Sequence, residues 1–234
     1  MSEFIEIPPD FIKGILRHEK VDGIERIADL YVSRGSLASR VFWMRLRMIH
    51  ALIRRVSHER ATALDFGGGA GIFLPTLSRL FRQVVCIDLL TDEAEAVCRE
   101  YHLGNTRVVR ADVATAQLAE APFDAIVAAD VLEHFRDLTM PVDRILTWLG
   151  TGGILYTSLP TESWLYVFLR KVFRVTKPVD HYHTAAEVEQ YLVSRGLSRV
   201  ARTYVPIPLR MLSAFALFRV TAWRKAGAPA PAQR

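Results

Sequence analysis

The run Leu64-Asp65-Phe66-Gly67-Gly68-Gly69-Ala70-Gly71 constrains this chain more than any other stretch. An acid is followed by glycines at every second position, Gly67, Gly69 and Gly71. Such spacing lets the backbone turn tightly, adopt positive φ and admit a ligand where a Cβ would otherwise stand. Ala61-Thr62-Ala63-Leu64 ahead of the turn reads as a buried strand, and Ile72-Phe73-Leu74 opens an apolar helical pattern. Strand, glycine turn and helix together predict a small-molecule cofactor lying against this junction.

Spacing separates the possible nucleotide motifs. A P-loop requires a Lys after its last glycine, and none follows here. A dinucleotide fingerprint counted from Gly67 and Gly69 meets Ile72 where its third glycine belongs. What stands instead is Asp65-x-Gly67-x-Gly69-x-Gly71. Further apolar runs ending in acids follow: Gln83 to Asp88, then Thr106 to Arg110 with Asp112 and Val113 just beyond, then Phe123 to Asp130. Gly152 to Pro160 reads as a fifth strand. Acids at successive strand ends in one register point to a ligand running along one edge of a sheet.

This pattern resembles the first motif of class I S-adenosylmethionine (SAM)-dependent methyltransferases. The resemblance implies an α/β fold: a seven-stranded, mostly parallel sheet flanked by helices as a three-layer, Rossmann-like sandwich. It also implies SAM as cofactor, with the loop of Asp65, Gly67, Gly69 and Gly71 against its methionine end. Asp88 would then accept hydrogen bonds from both ribose hydroxyls, and Leu89 would pack on the adenine. Asp112 would take the adenine amino group and the Val113 N–H would meet the ring. Asp130, at the end of the fourth strand, completes the expected cofactor set.

At 234 residues, half of them apolar, the chain has length for one domain with a sizeable core. Strands alternate with helical stretches from about residue 61 to 205, as a parallel α/β sheet requires. Cys86 falls on a strand and Cys98 on a helix, at a spacing that suits neither a metal site nor a disulfide framework. With no basic n-region at the N-terminus, these features predict a cytoplasmic protein. No apolar run approaches the roughly 18 residues that span a bilayer. The formal charge is +5, with basic residues beside aromatics; substrate contact, membrane contact and solubility all account for that. The family's base-flipping signature is missing after the fourth strand, where Asp130-Val131-Leu132-Glu133 stands, so nucleic acid is not an expected partner.

The expected organisation is a helical cap over 1–60, a SAM-binding domain over 61–225 and a disordered tail over 226–234. In the cap, Leu37, Val41, Met44, Met48, Leu52 and Val56 recur at helical spacing, with Arg40, Arg45, Arg47, Arg54 and Arg55 between them. Trp43-Met44-Arg45-Leu46-Arg47-Met48-Ile49 is similar to the Asn-Pro-Leu-Arg-Leu-x-x-Ile segment of ubiquinone-pathway O-methyltransferases, with Trp43 and Met44 replacing Asn-Pro. That resemblance assigns Arg45 to the SAM carboxylate, which a guanidinium fork suits. Further along, Thr184-Ala185-Ala186-Glu187 is a capping box opening an amphipathic helix that closes near Gly196. Residues 197–205 and about 214–222 read as the last two strands.

Methyl transfer requires alignment of acceptor, methyl and sulfur, and a base assists when the acceptor is a phenol or alcohol. Two histidines qualify: His134 after the fourth strand and His181 before the capping-box helix. Sequence does not choose between them. Asp130-x-x-Glu133-His134 resembles the Glu-x-x-Glu-His of the ubiquinone O-methyltransferases, which holds a divalent ion, but the shorter Asp form also stands in metal-independent relatives; metal dependence stays open. An insertion over 162–179 carries Ser163 to Lys177, with Arg170, Lys171, Arg174 and Lys177 on one helical face opposite Trp164, Leu165, Phe168, Leu169, Val172 and Phe173. Such a segment reads as an interfacial helix making peripheral membrane contact, as a lid over an apolar substrate, or as a helix packed on the core. The expected activity is SAM-dependent O- or C-methylation of a small, apolar or lipid-like acceptor. The rivals are a polar natural-product or sugar acceptor, and a non-catalytic binding protein of the same fold.

Overall fold

The computed structural model describes residues 3–16, 31–32, 37–57, 61–161, 182–206 and 216–225. The expected insertion over 162–179, the candidate base His181 and the tail over 226–234 lie outside the described residues.

The strands are β1 (Thr62–Phe66), β2 (Gln83–Asp88), β3 (Thr106–Arg110), β4 (Phe123–Ala129), β5 (Leu149–Pro160), β6 (Leu197–Val205) and β7 (Phe218–Lys225). They form one sheet in the order β3-β2-β1-β4-β5-β7-β6. All neighbours pair in parallel except β7, which runs antiparallel between β5 and β6. This is the predicted seven-stranded fold. The central strands are continuous apolar runs because helices cover both faces. Ala63, Val84, Cys86, Ala125 and Val127 face one core, while Leu64, Val85, Ile87 and Ile126 face the other. At the edge, β3 has no fully buried residue, and Arg107 is held by Glu120 at 2.5 and 2.6 Å.

Helices α1 (Pro9–Ile15), α2 (Leu37–Val56), α3 (Leu74–Leu80) and α4 (Asp92–Glu100) supply buried residues to the first core. Helices α5 (Thr139–Trp148) and α6 (Ala185–Ser194) supply the second. The predicted capping box opens α6: the Glu187 N–H donates to Thr184 Oγ1, and the Thr184 N–H donates to Glu187 Oε2 at 2.7 Å. Two strands depart from the sequence reading by three residues or more. β5 starts at Leu149 rather than 152, because Leu149 pairs with Phe123 before a register shift. β7 runs to Lys225, while the buried Ala216 and Leu217 ahead of it satisfy Thr161 and Val205 outside the ladder.

The chain lays β1, β2 and β3 outward on one side and then returns to place β4 on the other side of β1. Ligands of open parallel sheets settle in the crevice left outside the strand C-termini at such a reversal. Here the ends of β1, β2 and β4 carry Asp65, Asp88 and Asp130.

Candidate functional site

A cavity of about 390 Å³ lies at these strand ends. The glycine turn forms one wall, and each glycine has its own reason to be there. At Gly67, φ is +68° and a Cβ would come 2.3 Å from Val131 Cγ2; its N–H donates to the Ile87 carbonyl at 2.9 Å. Gly68, which the alternating motif skips, lies where a Cβ would meet Cys86 Sγ at 2.6 Å and Asp65 Oδ2 at 2.7 Å. At Gly69, φ is +53° and no atom lies within 4 Å of where a Cβ would be. That open space on a cavity wall fits a ligand drawn close to the backbone.

Asp88 closes the turn from the next strand. Its Oδ2 accepts the Gly69 N–H at 2.8 Å and its Oδ1 the Leu90 N–H at 3.1 Å. Each carboxylate oxygen has a second lone pair, so an oriented pair of acceptors remains for two hydroxyls. Leu89 is exposed beside it on the rim, as a platform for a flat ring requires.

Three expected cofactor residues do not line this cavity. Gly71 (φ +72°) sits where a Cβ would be 2.9 Å from Ala94 Cα, so it lets the turn pack against α4. Asp112 is exposed, and its Oδ1 accepts the Ala114 N–H at 2.8 Å, which shapes its own loop. Val113 is buried in the second core.

Helix α2 supplies a further wall, one that the periodicity misread. The sequence puts Arg45 among the polar residues of α2, but its side chain is only 3 % exposed and lines the cavity. It forms an ion pair with Asp130 and donates to the Tyr31 hydroxyl at 2.6 Å. The guanidinium carbon also lies 4.7 Å from the Phe42 ring centre and 5.5 Å from that of Phe218. Asp130 adopts φ +54°; its N–H donates to the Ser158 carbonyl and its Oδ1 accepts the Ser158 hydroxyl at 3.2 Å. Arg45 and Asp130, read as separate cofactor contacts, are thus each other's partner. Tyr31, brought in through the helical cap, carried no sequence signal; burial pushes its phenol up, against the pull of Arg45.

Asp65 is also buried, at 4 % exposure. Desolvation, helped by the Asp88 charge, pushes its carboxyl up to about 7. His134 stands half-buried on a 3-10 turn, Leu132–His134, and lines the same cavity. The chain returns onto this turn through Tyr182, whose N–H donates to the Glu133 carbonyl at 2.9 Å and whose ring lies 5.1 Å under the Arg136 guanidinium. Glu133 is buried at 1 % exposure. Among the described residues, no group of three His, Cys, Asp or Glu is arranged to hold a metal ion.

The methyltransferase domain family model matches residues 42–203, well over half of the chain. The chain belongs to this family of class I SAM-dependent methyltransferases. A ubiquinone biosynthesis O-methyltransferase of Xylella fastidiosa (strain M23) is 38 % identical over 109 residues, 45 % of this chain and 44 % of the relative. The same-named protein of Nitrobacter winogradskyi is 29 % identical over 151 residues, 57 % of this chain and 55 % of the relative. The chain thus spans about half the length of these curated relatives. In fold it is similar to the magnesium protoporphyrin IX methyltransferase of Synechocystis, solved with bound S-adenosylhomocysteine, at TM-score 0.65 and 15 % identity, over 85 % of this chain and 92 % of that one.

Proposed function

We propose that this methyltransferase binds SAM in the cavity at the ends of β1, β2 and β4 and methylates a small, apolar acceptor. The observation that carries the reading is the union of an open Gly69 with an Asp88 carboxylate already oriented by two backbone N–H groups. When bound, SAM supplies an electrophilic methyl sulfonium. Asp88 would hold the ribose hydroxyls, Leu89 the adenine face, and Gly67 to Gly69 the methionine end. Arg45, Tyr31 and Asp130 form the floor beneath that end. His134, on the acceptor side of the cavity, would orient the acceptor or take its proton.

Similarity to the ubiquinone biosynthesis O-methyltransferases supports oxygen as the acceptor atom and a lipid-like substrate. The apolar and aromatic lining contributed by Leu46, Phe73, Val131 and Phe135 supports the same class. The basic amphipathic segment 163–177 supports peripheral membrane contact on sequence grounds. Among the described residues no helix is long and apolar enough to cross a membrane.

The test is methyl transfer from labelled SAM into lipid and polar extracts of the source cells. Label is expected in the organic phase; label confined to the aqueous phase would replace the apolar acceptor with a polar one. Alongside it, Asp88→Ala should weaken SAM roughly tenfold or more, the loss of two hydrogen bonds of about 0.5–1.5 kcal/mol each. Unchanged affinity of the folded variant would remove the cofactor from this cavity.

A further inference from the structure

Tyr31 is an almost wholly buried phenol on the cavity wall, and its hydroxyl oxygen accepts a hydrogen bond from Arg45 Nη2 at 2.6 Å. That bond occupies one lone pair and leaves the O–H to donate elsewhere. Among the described residues no acceptor meets it. Burial pushes the phenol up, so it keeps its proton and remains a donor. A buried donor left unused costs stability, and native folds rarely leave one without protein, water or ligand to meet it. Beside it, Arg45 Nε is also buried without a hydrogen-bond partner among the described residues. Two unused donors therefore belong to one corner of the cavity.

Helix α2 holds this phenol in place. Trp43 and Phe42 pack edge-on against the Tyr31 ring at 4.9 and 5.7 Å between centres, and the Ser39 hydroxyl donates to the Tyr31 carbonyl at 3.2 Å. A donor already oriented loses little freedom when a ligand arrives. The guanidinium on its oxygen also polarises the O–H and strengthens it as a donor. Apart from the acids, the polar side chains lining the cavity are Tyr31, Arg45 and His134. With His134 on the acceptor side, an anionic oxygen of the cofactor finds its side-chain donors in the Tyr31–Arg45 corner. Asp130 offsets much of the arginine charge there, so a hydrogen bond from Tyr31 supplies what charge alone does not.

We propose that Tyr31 is a binding residue for a ligand carboxylate, its hydroxyl donating a hydrogen bond to the carboxylate at the amino-acid end of SAM. This inference rests on the proposed function, which lays that end over Tyr31 and Arg45. SAM and S-adenosylhomocysteine carry the same carboxylate, so Tyr31 serves both alike and does not tell substrate from product. No proton is transferred and no bond of the ligand changes.

Calorimetry with two ligands tests it: S-adenosylhomocysteine, and its decarboxylated analogue, which keeps the ammonium, thioether, ribose and adenine. The wild type should bind the first roughly tenfold or more tighter than the second, as a hydrogen bond to a charged group implies. Tyr31→Phe should weaken S-adenosylhomocysteine by roughly tenfold while changing the decarboxylated analogue by less than about twofold. SAM should fall by the same factor as S-adenosylhomocysteine. The analogue also reports the fold, because a damaged cavity weakens both ligands. Equal loss of both makes Tyr31 only a packed wall residue and overturns the inference. So does an unchanged affinity for S-adenosylhomocysteine; a raised KM for the methyl acceptor would then hand the donor to that substrate. Equal binding of the two ligands by the wild type overturns it without any variant. Failure of S-adenosylhomocysteine to bind the wild type at all would instead defeat the proposed function.

Discussion

Two acids close two parallel strands on either side of one cavity, and the fold treats them in opposite ways. Asp130, at the end of β4, is met by Arg45 and by the hydroxyl of Ser158. Asp65, in β1, is equally buried and receives no such partner among the described residues. Their sequence contexts look alike: each is an acid at the edge of an apolar run. The difference is that β4 ends beneath the cap helix, which reaches over with a cation, whereas β1 ends beneath the glycine turn, which offers no side chain. The paired acid ties α2 to β4, and burial pushes the unpaired one towards its protonated form.

The largest expected effect breaks the paired side. Arg45→Met leaves Asp130 buried without its cation, which should cost about 3–5 kcal/mol of stability. Chemical denaturation checks it, and adding Asp130→Asn should recover a substantial part. Little loss in the single variant would mean that the pair is not what ties the cap to β4.

A smaller effect, of opposite sign, is expected on the unpaired side. Burial pushes the Asp65 carboxyl of the folded protein up to about 7, whereas an unfolded chain releases that proton near its ordinary value of 3.8. The folded state therefore binds the extra proton between these values, and this group's contribution is full below about pH 4 and lost as pH rises towards 7. Asp65→Asn removes that loss, so it should gain up to about 4 kcal/mol at pH 8 and nothing at pH 3.5. Thermal melts across that range read it out. A gain independent of pH would mean packing rather than charge.

The smallest effect tests whether Asp130 is spoken for. With its carboxylate held by Arg45 and Ser158, the Asp130-x-x-Glu133-His134 run is not free to act as a ligand set. Methyl transfer should survive exhaustive chelation unchanged. Loss of activity on EDTA with recovery on added Mg²⁺ would show that Arg45 yields Asp130 to an ion.

How much of the site could be read beforehand follows from the range of the forces involved. Gly67, Gly69 and Asp88 were legible because a tight turn and a strand-end acid are local requirements, met within a few residues of the chain. Arg45 was legible as a residue of interest but not in its role: helical spacing placed it on the polar face, and only tertiary packing buried it against Phe42 and Asp130. Tyr31 was not legible at all, since nothing local marks a tyrosine whose hydroxyl meets an arginine 14 positions on. Gly71 and Asp112 matched the motif, but the structure uses one to pack the turn on α4 and the other to shape a loop.

By itself, the sequence determined the sheet and the position of the cavity. Alternating apolar runs and glycines set the strands, and a cavity must lie where a parallel sheet reverses its strand order. The tertiary structure decided the electrostatics of that cavity. Charge pairing depends on which distant element closes over each strand end, and desolvation depends on everything packed around it. Asp65 and Asp130 carry the same side chain, and only the fold makes one a structural tie and the other a buried acid that holds its proton to about pH 7.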